Sequence, residues 1–239
     1  MNRAATWILA LALAVAPALA QTAAPPPERH VIYLHGRIVQ EEQSPRPRHP
    51  RFGYYELNGI LDAFRQHGFV VTGEIRPKEA TVDQSADHVV EQVRKLLESG
   101  VAPDHITVVG ASMGAGIALV ASARLQNPEV RFAVLGTCLS ANVRRLSDSQ
   151  GKGGPAGHIL AIRESSDEVT GGCSPWKDDT GAHAGLVARE IVLDTGLHHG
   201  FLYRPMPEWL DPVVEWINGA DGPEPPKPKN GEDRPPPHP

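Results

Sequence analysis

Three stretches of this 239-residue chain carry side chains whose types and order suit nucleophilic chemistry. The first is Gly110-Ala111-Ser112-Met113-Gly114, which follows the apolar run Ile106 to Val109 and opens a helix-forming stretch from about Met113 to Gln126. A serine with glycines two residues to either side, between a strand and a helix, sits on a sharp turn that lifts its hydroxyl clear of the sheet. The helix N-terminus aims free N–H groups at the same point, where an oxyanion would form. A hydroxyl is a weak nucleophile until a base takes its proton, so a histidine must come from elsewhere in the chain. The stretch Thr195-Gly196-Leu197-His198-His199-Gly200-Phe201 offers two. Between them, Arg163-Glu164-Ser165-Ser166-Asp167-Glu168 offers three carboxylates that could hold an imidazole in one tautomer. The residues alone leave open which histidine and which carboxylate serve, and each also reads as an ordinary solvated loop residue.

Other chemistries fit less well. Gly114-Ala115-Gly116 has a superficial likeness to a dinucleotide loop, but Leu119 stands where the last small residue belongs and the motif falls inside the helix. No G-K-[ST] follows a glycine loop, which excludes a phosphate-binding loop of that kind. Eleven histidines are scattered over different elements, with no H-E-x-x-H and no Cys/His pair at ligand spacing, so neither a metal nor a cofactor is expected. A net charge of -5 without a basic stripe argues against nucleic acid as a partner.

The elements that must position these residues follow from hydrophobic periodicity. Short runs rich in Val and Ile alternate with helix-period stretches, the pattern of a mostly parallel, doubly wound α/β sheet with helices on both faces. About six strands are expected: Val31 to Leu34, Phe69 to Val71 and on to Ile75, Ile106 to Val109, Phe132 to Leu135, His158 to Ile162, and Glu190 to Leu193. Helices are expected over Leu57 to Gln66, along the Ala86-Val89-Val90-Val93-Leu96-Leu97 face, over Met113 to Gln126, and over Glu208 to Ile217. Residues 37–53 carry several Arg and Pro without periodicity and read as a long loop after the first strand. Residues 139–157 have room for a short helix but not for a lid domain. With 41% hydrophobic and 21% charged residues, one domain over 30–219 can bury its own core.

The ends read differently. Arg3, an apolar stretch from Ile8 to Val15 and the small residues Ala18-Leu19-Ala20 have the layout of a cleaved export signal over 1–20. That stretch is shorter than the roughly 20 residues a membrane span needs, so no stable membrane insertion is expected after cleavage and the mature chain is expected to be secreted or periplasmic. A Pro-rich lead-in over 21–29 and a Pro-rich tail over 220–239 flank the domain. Export places Cys138 and Cys173 where a disulfide persists. They lie shortly after neighbouring expected strands, and a disulfide tying the two loops together is expected, with a pair of separate thiols as the alternative.

From the Gly-x-Ser-x-Gly turn, the strand ending in His35-Gly36 and the His199-Gly200-Phe201 ending, the domain resembles the α/β-hydrolase superfamily, and within it the small, lidless bacterial carboxylesterases and dienelactone hydrolases. The resemblance implies a serine hydrolase, exported here, acting on a small-molecule ester or related acyl substrate. Ser112 would be its nucleophile, His199, preceding a glycine, its base, and Asp167 its acid, with His198 and Glu168 as the alternatives. It also implies that the backbone N–H groups of Arg37 and Met113 form the oxyanion hole, with His35 structural. Dienelactone hydrolases proper have Cys where this chain has Ser112, which argues against that activity. Peptidases, thioesterases, acyltransferases and non-catalytic binding proteins share the same framework.

Overall fold

The computed structural model describes residues 27–150, 154–170, 173–174 and 186–219. The expected export signal, the tail and all but the last three residues of the lead-in lie outside them. Six strands form one sheet: β1 (His30–Leu34), β4 (Val70–Thr72), β5 (Ile106–Ala111), β6 (Arg131–Leu135), β7 (Gly157–Glu164) and β8 (Leu186–Leu193). Their order is β4-β1-β5-β6-β7-β8, and every neighbouring pair is parallel. Parallel neighbours need crossovers, supplied by α2 (Leu57–Gln66), α3 (Val82–Glu98), α4 (Met113–Leu125) and α5 (Leu139–Gln150), with α6 (Pro207–Ile217) closing the described chain.

Side chains alternate across each strand, so one strand feeds two cores. Val31, Tyr33, Val109, Ala133, Leu135 and Ile162 face α2 and α6, where Phe64, Trp209 and Trp216 fill the space. Ile32, Leu34, Val108, Phe132, Val134 and Ile159 face α3, α4 and α5. Each fully buried aliphatic side chain contributes about 1.5–3 kcal/mol of transfer free energy. The central β5 is buried along its whole length, which is why it reads as a mostly apolar run broken only by Thr107 and Gly110. Thr81 and Gln84 form a reciprocal capping box that starts α3 four residues before the first apolar position of its expected face.

Residues 37–53 are not a long loop. They hold the six-residue helix α1 (Arg37–Glu42) and, with Tyr54, a small antiparallel hairpin of β2 (Arg48–His49) and β3 (Gly53–Tyr54). Elements this short have too few residues to show a period, and they are fixed by distant contacts: Gln40 donates to Lys78 O and Ala80 O, and Glu56 N–H to Tyr203 O. β8 also begins at Leu186, earlier than its most apolar residues suggested.

Spatial order departs from chain order between β1 and β5: the chain moves from β1 to β4 on one side, then returns to β5 on the other. The carboxyl ends of two such strands splay their following loops apart and leave a crevice. His35-Gly36-Arg37 follows β1 and Ser112 follows β5, so both sides of that crevice carry residues singled out above.

Candidate active site

Ser112 occupies the turn between β5 and α4 with φ 54° and ψ -115°, a conformation a side-chain-bearing residue adopts at a cost of about 1–3 kcal/mol. The surroundings hold it there. Its N–H donates to Leu135 O at the end of β6, 2.8 Å away. A Cβ on Gly110 would come within 2.3 Å of Gly114 O, and one on Gly114 within 2.0 Å of Leu34 O, so α4 starts this close to β5 and to the end of β1 only because both positions are glycine.

His199 lies in a 3-10 turn, His198–Tyr203, that follows β8. Its Nε2 is 2.9 Å from Ser112 Oγ, and its Nδ1 is 2.7 Å from Asp167 Oδ2. A carboxylate only accepts, so Nδ1 carries the proton and Nε2 is left to accept the serine hydroxyl. Asp167 follows β7 and is buried; its other oxygen accepts Val169 N–H at 3.0 Å. A hydrogen-bonded chain therefore runs from Ser112 through His199 to Asp167, joining turns after β5, β7 and β8.

The neighbouring candidates go elsewhere. His198 has φ 53° and its Nδ1–H donates to Ser166 O at 2.6 Å. Glu168 is exposed and meets the Arg51 guanidinium at two points. Glu164 is buried and accepts from Ser166 and Thr195, from the backbone N–H and the hydroxyl of each. Burial alone would raise its pKa, but those four hydrogen bonds outweigh it and bring the pKa down to about 2. This carboxylate, which the sequence marks only as lying close to a strand end, ties the acid-bearing turn to the segment leading into His199.

Arg37 and Met113 are the first residues of α1 and α4, so their N–H groups lie outside the intrahelical ladder. Both line, with Ser112, Thr137, Asn142 and Thr170, a cleft of about 600 Å³. Arg37 and Ser112 also border a second cleft of about 380 Å³ that includes His49, His199 and Tyr203. Ser112 thus stands between two recesses. A further cavity of about 700 Å³ lies between the end of β4 and α3, and Ser112 does not line it.

Cys138 and Cys173 form a disulfide with Cα atoms 5.6 Å apart, linking the loops after β6 and β7 on the wall of the larger cleft. This is the bridge expected from the sequence. Two supports had no readable signal: Phe52, whose ring lies over Gly200 and 6.5 Å from the His199 ring, and Gly136, where a Cβ would stand 3.3 Å from His199 Cε1. Among the described residues, no group of three or more His, Cys, Asp or Glu could hold a metal ion, and no helix is long and apolar enough to cross a membrane.

No family model and no curated protein matches the sequence. Solved structures do match the fold. BioJ, a Francisella virulence factor, is 12% identical, with 82% of this chain and 78% of that one covered and a TM-score of 0.54. The α/β hydrolase GrgF from Penicillium sp. sh18 is 11% identical, covering 81% and 90%, with a TM-score of 0.51. An Agrobacterium tumefaciens protein of unknown function, provisionally classed as an α/β hydrolase, is 20% identical, covering 83% and 89%, also at 0.51. Sheet order, turn geometry and these likenesses agree: the chain has the α/β-hydrolase fold.

Proposed function

We propose that this chain is an exported serine hydrolase that cleaves an acyl bond, a carboxylic ester by preference, through an acyl-enzyme on Ser112. The observation that carries the reading is the continuous hydrogen-bond chain Ser112–His199–Asp167, with spacings of 2.9 and 2.7 Å. In the first half-reaction Ser112 Oγ attacks the carbonyl carbon while His199 Nε2 takes the hydroxyl proton. Asp167 balances the resulting imidazolium without taking a proton itself. Negative charge gathers on the carbonyl oxygen, where the N–H groups of Arg37 and Met113 receive it. His199 then returns the proton to the leaving alcohol. Water repeats the sequence on the acyl-enzyme and frees the carboxylic acid.

Placing the nucleophile between two clefts supports a substrate with groups on both sides of the scissile bond. The disulfide, together with the signal-like sequence over 1–20, supports export. A panel of chromogenic esters, thioesters and amides of increasing acyl length tests the activity. Ester turnover that Ser112→Ala abolishes is expected, and turnover that survives this change in a folded sample contradicts the reading. Mass spectrometry of the exported protein should find Gln21 as the first residue; an intact Met1 to Ala20 segment would contradict export with cleavage.

A further inference from the structure

Arg76 follows β4 and is buried, with 6% of its surface exposed. Among the described residues no carboxylate pairs with it, and its Nη1 is buried without a hydrogen-bond partner. A buried guanidinium without a counter-ion is costly unless hydrogen bonds hold it, so the groups it bonds to define what its charge can act on. Burial lowers its pKa to about 10, with Tyr55 and Tyr33 opposing the shift, and it stays charged at neutral pH.

Its remaining bonds converge on one turn. Nη2 donates to His35 O at 2.7 Å, the backbone N–H to His35 Nε2 at 3.1 Å, and Nε to Gln40 Oε1 at 3.0 Å. Gln40 in turn donates to Lys78 O and Ala80 O, and Gln43 to Arg76 O. The segment that begins at His35 and runs through α1 is therefore stitched to the segment after β4. Arg37 lies inside the stitched turn, between the two residues that the Arg76 side chain grips. Gly36, just before it, is close to Ser112: a Cβ there would be 3.7 Å from Ser112 Cβ.

We propose that Arg76 is a positioning residue for the oxyanion site: by gripping His35 and Gln40 it fixes the Arg37 N–H toward Ser112, and its uncompensated charge favours negative charge forming there. This rests on the serine-hydrolase reading. A residue acting this way matters most when the carbonyl oxygen becomes negative, so its loss should lower kcat and leave KM nearly unchanged.

The test compares wild type, Arg76→Lys and Arg76→Met on one chromogenic ester, with folding checked by circular dichroism and melting. Arg76→Met should lose about 10- to 100-fold in kcat, less than the loss of an oxyanion donor itself, with KM within about threefold. A trifluoromethyl ketone, which forms a tetrahedral adduct, should lose affinity in parallel, while the corresponding methyl ketone should not. Arg76→Lys, able to restore the charge and one bond to His35 O, should recover part of the loss. If Arg76→Met does not fold, Gln40→Met removes the other grip and should give the same kcat-only pattern. An active wild type beside a folded Arg76→Met, or in its place Gln40→Met, with unchanged kcat overturns this proposal alone, as does a loss confined to KM. A wild type with no turnover overturns the hydrolase reading and this proposal with it.

Discussion

Asp167 accepts a 2.7 Å hydrogen bond from the Nδ1–H of His199. Glu168, next in the chain, points the other way, to Arg51. The two carboxylates differ by one position in sequence and wholly in surroundings. Asp167→Asn should therefore cost on the order of 10⁴-fold in kcat, because the imidazole loses its orienting charge. Glu168→Gln should change kcat by no more than a few-fold, since its ion pair with Arg51 is exposed and screened by solvent. Steady-state kinetics of the two variants decides; a severe Glu168→Gln beside a mild Asp167→Asn reverses the assignment.

The adjacent histidines give a second contrast. His199→Ala should lose on the order of 10⁴-fold or more in kcat, nearly as much as Ser112→Ala, because members of one catalytic unit are non-additive. His198 spends its ring proton on Ser166 O, so His198→Asn, which tolerates the positive φ, should retain most activity. Equal losses in the two single variants would contradict this division.

How far the sequence discloses this arrangement depends on where the fixing contacts come from. β1, β5, β6 and β7 are legible because strands covered on both faces must be apolar throughout, and Ser112 because its turn needs a glycine on either side. α1 and the β2/β3 hairpin are not legible, since Gln40 and Phe52 owe their positions to residues far away in the chain. The choice of Asp167 and His199 over their neighbours came from family likeness, because side-chain direction in a turn leaves no periodic trace. Glu164 and Arg76 show the same limit: in sequence they are loop charges, and only the fold encloses them.

His35 makes stability depend on pH. Burial, and then the charge of Arg76, lower its pKa to about 4, and the neutral ring accepts the Arg76 N–H at its Nε2. The unfolded chain takes up that proton near the ordinary histidine pKa of about 6.5. Stability from this residue is thus complete above about pH 6.5 and is lost as pH falls toward 4, by about 3 kcal/mol in all. Denaturant unfolding of wild type and His35→Gln should show a stability gap that narrows from pH 7 to pH 4. A gap independent of pH contradicts the argument. Glu164, at about 2, adds its own loss only in the lower window beneath pH 4.5.

The Cys138–Cys173 bridge closes a loop with a sequence separation of 35. The loop-entropy model gives about 3–4 kcal/mol for closure of that size. Cys138→Ser/Cys173→Ser should lower the melting temperature accordingly and reduce kcat by a few-fold, since Cys173 lies six residues beyond Asp167 in the chain. Thiol titration of unfolded, unreduced protein should find none; two free thiols would contradict the bridge.

The most direct measurement is covalent. The folded protein is incubated with a fluorophosphonate probe and digested, and the modified residue is located by mass spectrometry. Stoichiometric labelling at Ser112 is expected, lost in Ser112→Ala, slowed on the order of 10³-fold or more in His199→Ala, and absent from unfolded wild type. Folded wild type that takes no label, or takes it at another serine, would contradict the account of Ser112 as an activated nucleophile.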